Sequence, residues 1–202
     1  MEQLNIFGAP APGGHLPPGL LDYRQGFFSA HESALLLSAL IKDTAWVQET
    51  IYMYGKTMQT PRLTAWYGDA NRTYSFSGNK YHPNAWTEDL LLIKARVEDV
   101  AGVTFNSVLL NYYRNGNDSV AWHSDDEPEL GTNPLIASVS FGQPRRFDLR
   151  QKHDHSHKYA IELENGSLLL MKGSLQHEWQ HRIAKSAKPM KERINLTFRI
   201  IG

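Results

Sequence analysis

His123 and Asp125 stand two residues apart within the stretch running from Asn111 to Glu127. On a strand, residues i and i+2 point to the same face, so this imidazole and this carboxylate can grip one metal ion. One distant histidine would complete a set of two His and one carboxylate. That set is the facial triad of non-haem Fe(II) oxygenases, which leaves open positions for a co-substrate and O₂. A bare His-x-Asp is also a common pattern of solvated loops, so its meaning depends on the rest of the chain.

Nine histidines are present, and two groups compete for the third position. His153, His155 and His157 alternate in a polar stretch beside Lys152 and Asp154 and read as a solvated connection. His177-Glu-Trp-Gln-His181 matches the His-Glu-x-x-His pattern of zinc peptidases, which requires a helix to bring both histidines to one face with the Glu as base. Here the segment follows a strand-like run, Ser167 to Met171, after a Lys-Gly turn, and no amphipathic helix surrounds it. The better reading takes His181 alone, on a late strand, as the third ligand and His177 as an exposed loop residue.

The end of the chain, Arg193 to Ile200, has a clean period of two. Ile194, Leu196, Phe198 and Ile200 share one face, which packs on a core. Arg193, Asn195, Thr197 and Arg199 share the other, which is either wet or functional. Six residues at about 3.3 Å each put the Cα atoms of Arg193 and Arg199 about 20 Å apart. Leaning inward, the two could hold the ends of a small dicarboxylate, since arginine's planar fork matches carboxylate geometry. An Fe(II) oxygenase needs a source of two electrons, and 2-oxoglutarate is such a dicarboxylate.

Around these residues the chain separates into recognisable elements. Residues 1–25 carry a Pro/Gly cluster from Gly8 to Gly19 and read as an extended arm, ordered only if it docks on the body. Ser29 with Glu32 three residues on, followed by Leu35, Leu36, Leu37, Leu40 and Ile41, predicts a capped first helix ending near Lys42. Residues 45–82 are dense in aromatics and turn residues and predict short strands joined by tight turns. Some of those rings are plain core, and a cluster of this kind also suits a surface on which planar bases stack. Glu88 to Gly102 predicts a second helix with a broad apolar stripe and a glycine stop. Beyond Phe105 the pattern is strand after strand. Helices in the first half and strands in the second give an α+β class: a double-sheet jelly roll, or double-stranded β-helix, over about 105–201, braced by the N-terminal helices. Residues 26–202 then form one domain, with 45–82 as a lid.

The bulk properties narrow the partners. A length of 202 residues suits one domain with a sizeable core. A formal net charge of zero gives no global electrostatic case for nucleic acid, though a local basic face remains open. Without cysteine there is no disulfide framework and no thiolate metal site. No apolar run is long enough for a membrane span, and no signal peptide is visible. The expectation is an intracellular monomer, cytoplasmic if the source is bacterial and nuclear if it is eukaryotic.

With these residues in view, the chain resembles the AlkB-like Fe(II)/2-oxoglutarate-dependent dioxygenases, which repair alkylated nucleobases. The resemblance runs over about 45–201 and is carried by His123-x-Asp125, His181 and Arg193-x-Asn-x-Thr-Phe-Arg199. Further stretches resemble the branch of the human AlkB homologues 2 and 3. They are Pro61-Arg-Leu-Thr-Ala-Trp-Tyr-Gly68, Tyr74-Ser-Phe-Ser-Gly78, Phe105-Asn-Ser107, Asp118 to Pro128 and Ala137-Ser-Val-Ser-Phe-Gly142. The resemblance implies that His123, Asp125 and His181 hold Fe(II). It also implies that Arg193 meets the far carboxylate of 2-oxoglutarate while Asn111, Tyr113, Asn195 and Arg199 help seat it. A flipped base would lie between Phe76 and the ring of His123, with Tyr74, Ser77 and Glu127 at its edge and Arg62 nearby. A base made cationic by methylation would be costly to desolvate without a partner such as Glu127. Tyr54 stands where a relative inserts a wedge into duplex DNA to fill the gap left by flipping; a strand residue in the core is the equal alternative. Lys185, Lys188 and Lys191 either meet phosphates or form a solvated basic loop.

The reaction implied is oxidative demethylation of N1-methyladenine or N3-methylcytosine in single- or double-stranded DNA, or in RNA. 2-Oxoglutarate and O₂ become succinate and CO₂, the methyl group is hydroxylated, and the product releases formaldehyde. Three other readings compete. A dioxygenase of the same fold could act on a protein or small molecule, which a substrate screen would reveal. A non-catalytic nucleic-acid binder would have no use for the ligand set, and iron binding discriminates against it. A zinc peptidase would work with zinc in place of iron.

Overall fold

The computed structural model describes residues 19–53, 55–70, 74–76 and 79–202. Its helices form where the sequence places caps and stripes. In α1 (Ala30–Asp43) the Ser29 hydroxyl accepts from the Glu32 N–H, and the Glu32 carboxylate accepts from the Ser29 N–H, a full capping box. In α2 (Glu88–Ala101) the Thr87 hydroxyl accepts from the Leu90 N–H, and the helix stops at Gly102, whose φ of 70° favours glycine. Arg96 of α2 ties the two together, donating to the Glu32 carboxylate (2.9 Å) and to the Phe27 carbonyl (2.6 Å).

The strands, in chain order, are β1 (Leu21–Arg24), β2 (Thr50–Met53), β3 (Lys56–Gln59), β4 (Leu63–Gly68), β5 (Tyr74–Phe76), β6 (Asn79–Tyr81), β7 (Ser107–Tyr113), β8 (Val120–His123), β9 (Ile136–Gly142), β10 (Arg145–Gln151), β11 (Lys158–Leu163), β12 (Ser167–Met171), β13 (Trp179–Ile183) and β14 (Arg193–Arg199). A single helical turn, α3 (Leu175–Glu178), precedes β13. The strands form a six-stranded sheet, β1-β12-β9-β14-β7-β4, and a four-stranded sheet, β11-β10-β13-β8. β7 to β14 divide four and four between the two sheets in the manner of a jelly roll, changing sheet at every step except the β10-β11 hairpin, and β1 and β4 widen the larger one. Two hairpins, β2-β3 and β5-β6, stand apart.

Two hydrophobic cores follow from this layering. Ile194, Leu196 and Phe198 of β14, with Val108 and Leu110 of β7 and Val139 and Phe141 of β9, pack against Leu36, Leu40, Leu90, Ile93 and Val97 of the helices. Tyr113, Ile136, Leu169 and Met171 of the large sheet meet Phe147, Leu149, Trp179 and Ile183 of the small one. The apolar face of β14 therefore looks to the helices. Its polar face, with Arg193, Asn195 and Thr197 all buried, lines the lumen between the sheets, so the wet reading of that face does not hold.

Two expectations change in detail. Leu21–Arg24, at the end of the expected arm, docks as the edge strand β1 against β12, and its four residues are too few to show a period. β4 falls in the range expected for the lid, yet it pairs along its whole length with β7, because Thr64, Ala65 and Tyr67 are buried. No helix among the described residues is long and apolar enough to cross a membrane.

Candidate metal centre and co-substrate seat

β8 ends at His123, and β13 places His181 directly opposite it in register. The imidazole rings lie 4.3 Å apart between centroids. Asp125 follows β8 by two residues, and its Oδ1 lies 3.7 Å from His123 Nε2. Ligand atoms of His123, Asp125 and His181 all fall within 4.8 Å of one another. Three residues separated by up to 58 positions in sequence thus converge because adjacent strands of one small sheet carry them.

The surroundings prepare these groups as donors. His123 Nδ1 meets the Ala121 carbonyl at 2.9 Å; a proton there leaves Nε2 with its lone pair turned toward Asp125. Burial holds the His181 imidazole down to about pKa 3, helped by His123 beside it, so it is neutral and able to ligate near pH 7. Burial alone would raise the Asp125 carboxyl, but the Arg199 guanidinium and the two imidazoles override it and keep it well below the usual carboxylate range. Arg199 Nη2 is 2.9 Å from Asp125 Oδ2. The Asp125 N–H donates to the Gln176 side-chain oxygen (3.0 Å). Two imidazoles and one carboxylate fit a divalent iron.

Further along the lumen, Arg193 is 1% exposed. Nη2 donates to Ser140 Oγ (2.9 Å), and its guanidinium carbon lies 5.0 Å from the centre of the Tyr113 ring. Nε and Nη1 are buried without a hydrogen-bond partner. Two unused donors on a buried cation call for an acceptor from outside the chain, and a carboxylate suits both the charge and the fork. Asn195 donates to Ser138 Oγ (2.7 Å) and to the Val139 carbonyl (3.0 Å) and accepts from the Thr197 hydroxyl (3.2 Å). The seat is therefore polar on its β9 and β14 side. Arg199 lies on Asp125 at the metal end of the lumen, and Arg193 lies at the other end.

The remaining candidates fall in several places. Arg62 Nε donates to Asn111 Oδ1 (2.7 Å) and Nη1 to the Ser119 carbonyl (3.4 Å). Glu127 is half-buried two residues past Asp125, at the start of a single turn, Pro128–Leu130. Lys185, Lys188 and Lys191 are all exposed. His153, His155 and His157 are exposed in the β10–β11 connection, where His157 pairs with Asp154 (2.9 Å). α3 ends at Glu178 and His181 sits on β13, so His177 and His181 do not share a helix face. His177 is exposed and accepts from the Asn133 N–H (3.1 Å). Tyr54 and Ser77 lie outside the described residues, as do the side chains of Tyr74 and Phe76.

Sequence reasoning missed Gln176, Ser138, Ser140 and Arg145. Gln176 immediately precedes the His-Glu-x-x-His decoy. The serines alternate along β9, a signal that a polar lumen face would have explained.

Comparison with known proteins agrees with this geometry. The chain is 44% identical over 184 residues to the human alpha-ketoglutarate-dependent dioxygenase alkB homolog 3, covering 87% of this chain and 64% of that protein. It is 41% identical over 158 residues to the human DNA oxidative demethylase ALKBH2, covering 75% and 60%. It thus spans somewhat less than two thirds of the length of these relatives. In fold it is similar to the solved structure of OsALKBH1, with a TM-score of 0.65 at 18% identity, over 92% of this chain and 99% of that one. The family model described as the 2OG-Fe(II) oxygenase superfamily matches residues 21–199. Because that match runs from the first residue of β1 to the last of β14, and so takes in the metal cluster and the arginine seat together, this chain belongs to the 2OG-Fe(II) oxygenase superfamily.

Proposed function

We propose that the chain demethylates N-alkylated nucleobases, N1-methyladenine and N3-methylcytosine, in DNA or RNA. The observation that carries the oxygenase half is Arg193, buried with two unused donors in the same lumen as the His123, Asp125 and His181 cluster. The nucleobase half rests on the identity with alkB homolog 3 and ALKBH2 and on the residues shared with their family. Iron, 2-oxoglutarate and O₂ supply, when bound, the two-electron oxidation that hydroxylates the methyl group.

The chain's own residues hold and orient. His123, Asp125 and His181 bind the iron, and Arg199 keeps Asp125 ionised for it. Arg193 receives the far carboxylate, with Asn111, Tyr113 and Asn195 around the co-substrate. The target base lies between Phe76 and His123, with Tyr74, Ser77 and Glu127 at its edge. Both lesions carry the methyl group on the Watson–Crick edge, so the base enters from a single strand or after leaving the duplex. Tyr54 serves as the wedge in the duplex case. The chain acts as a monomer inside the cell, in the cytoplasm of a bacterium or the nucleus of a eukaryote.

The test is mass spectrometry of an oligonucleotide carrying one N1-methyladenine, single-stranded and as duplex, incubated with protein, Fe(II), 2-oxoglutarate and air. The expected result is loss of the methyl group only when 2-oxoglutarate is present, abolished in His123→Ala. Succinate formation with both oligonucleotides unchanged would overturn the nucleobase assignment and point to a protein or small molecule as substrate.

A further inference from the structure

Arg145 opens β10 and is 2% exposed. A buried guanidinium usually has a carboxylate against it, because desolvating a cation costs several kcal/mol. Arg145 has none among the described residues. It donates to three backbone carbonyls instead: Nη1 to Asn115 (3.3 Å), and Nη2 to Asp118 (3.0 Å) and Ala184 (2.6 Å). The Asp118 carboxylate is taken by Arg114, which donates to it from its backbone N–H, Nε and Nη2.

Arg145 also lies at the Arg193 end of the lumen. Arg193 is in register with Gly142 of β9, and Arg145 begins the next strand three residues later. Both guanidiniums lie on one aromatic ring, with their central carbons 5.6 Å and 5.0 Å from the centre of Tyr113. Neither forms an ion pair with an Asp or Glu among the described residues. Two buried cations lie around one ring without a direct ion pair; the carboxylates that act on them, Asp118 on Arg145 and Glu162 on both, do so from beyond ion-pair distance, and Asp118 already carries Arg114. Each depresses the proton affinity of its own guanidinium mainly through burial.

We propose that Arg145 is a specificity-determining positioning residue of the co-substrate seat: it holds a second buried positive charge beside Tyr113, so the seat selects a 2-oxo acid whose far end is a carboxylate. Arg193 makes the direct contact. Arg145 adds field and fixes the ring between them, while its carbonyl bonds anchor the 115–118 loop and Ala184. This rests on 2-oxoglutarate being the co-substrate of the chain.

The experiment compares 2-oxoglutarate with 2-oxobutyrate, which lacks the far carboxylate, by calorimetric titration into the Mn(II)-loaded full chain. The variants are Arg145→Gln, which keeps donors and loses charge, and Arg145→Lys, which keeps charge and loses the planar fork. A charge removed from a low-dielectric site at this range is expected to weaken 2-oxoglutarate binding about tenfold or more. The expected result is that loss in Arg145→Gln, with 2-oxobutyrate affinity and Mn(II) affinity unchanged, and a preference kept within about threefold in Arg145→Lys. A folded Arg145→Gln with the wild-type preference would overturn the proposal and leave Arg145 as a brace. If Arg145→Gln does not fold, Arg145→Lys decides: a preference for 2-oxoglutarate kept with the charge supports it, and a preference lost although the charge is kept would overturn it. Wild-type protein that binds neither acid would refute the co-substrate reading and not the role of Arg145 in particular.

Discussion

Asp125 is the residue on which the metal centre turns. Burial works against its charge, and Arg199 and Gln176 hold it in place from two sides, one at the carboxylate and one at the backbone N–H. Partners of this kind affect metal affinity by about 10–100-fold. Arg199→Met is therefore expected to lower Fe(II) affinity by at least about tenfold, read by anaerobic metal titration; wild-type affinity would show that the pair is incidental. Gln176→Leu leaves a buried N–H without a partner and is expected to cost about 1–3 kcal/mol of stability, read by urea unfolding. A loss well below that range would mean that water replaces the amide.

At the scale of elements, α1 and the end of β9, where Gly142 faces Arg193 of β14, give the sharpest expectations. The Ser29 cap satisfies a donor that the helix itself cannot, and Ser29→Ala is expected to cost about 1 kcal/mol in chemical unfolding. The Glu32 carboxyl is held at about 2, first by its hydrogen bonds with Ser29 and then by Arg96. A depressed carboxylate adds stability that is present above its unfolded value, near 4.5, and is lost as pH falls toward about 2. Acid unfolding of wild type and Glu32→Gln should therefore differ above pH 4.5 and converge at the low end; parallel curves throughout would refute the linkage. Gly142 has a φ of 89°, and a Cβ there would meet the Glu192 carbonyl at 2.4 Å and Arg193 Cα at 3.3 Å. Gly142→Ala is expected to cost about 1–3 kcal/mol and, by pushing on Arg193, to weaken 2-oxoglutarate binding while sparing Fe(II), as read by paired titrations.

For the molecule as a whole, the lumen is a compartment between the two sheets that holds buried arginines. A ligand set and two buried arginines wait there for an ion and a dianion. Ligands that bind only the folded state stabilise it by about 2.7 kcal/mol at a hundred times their dissociation constant. For a domain of this size that is about 5–10 °C in Tm. Mn(II) with 2-oxoglutarate is expected to raise Tm by that amount and a chelator to remove the gain, as read by calorimetry. Equal melting with and without the pair would mean that the lumen does not bind them.

The sequence by itself determined what is local. A capping box, an apolar stripe at helical spacing, an alternating strand and a His-x-Asp pair are each written within a few residues, so α1, α2, β14 and the His123-Asp125 pair were legible locally, and His181 was picked out as the third ligand. The α+β jelly roll followed from their order. Only the tertiary structure decided what depends on residues brought together from afar. β14 has two faces, and nothing in Arg193 to Ile200 says that the polar one looks into a lumen while the apolar one meets helices from the first half of the chain. Arg199 was readable as a clasp for a carboxylate, and the fold adds an ion pair with Asp125 that no spacing announced. Arg62 binds Asn111, Gln176 binds Asp125, and Arg145 shares a ring with Arg193 through pairings with no signature in spacing. Four-residue β1 is too short to carry a period of its own. In each case the deciding energy is burial or a long-range hydrogen bond, and those belong to the packed sheets and to no single segment.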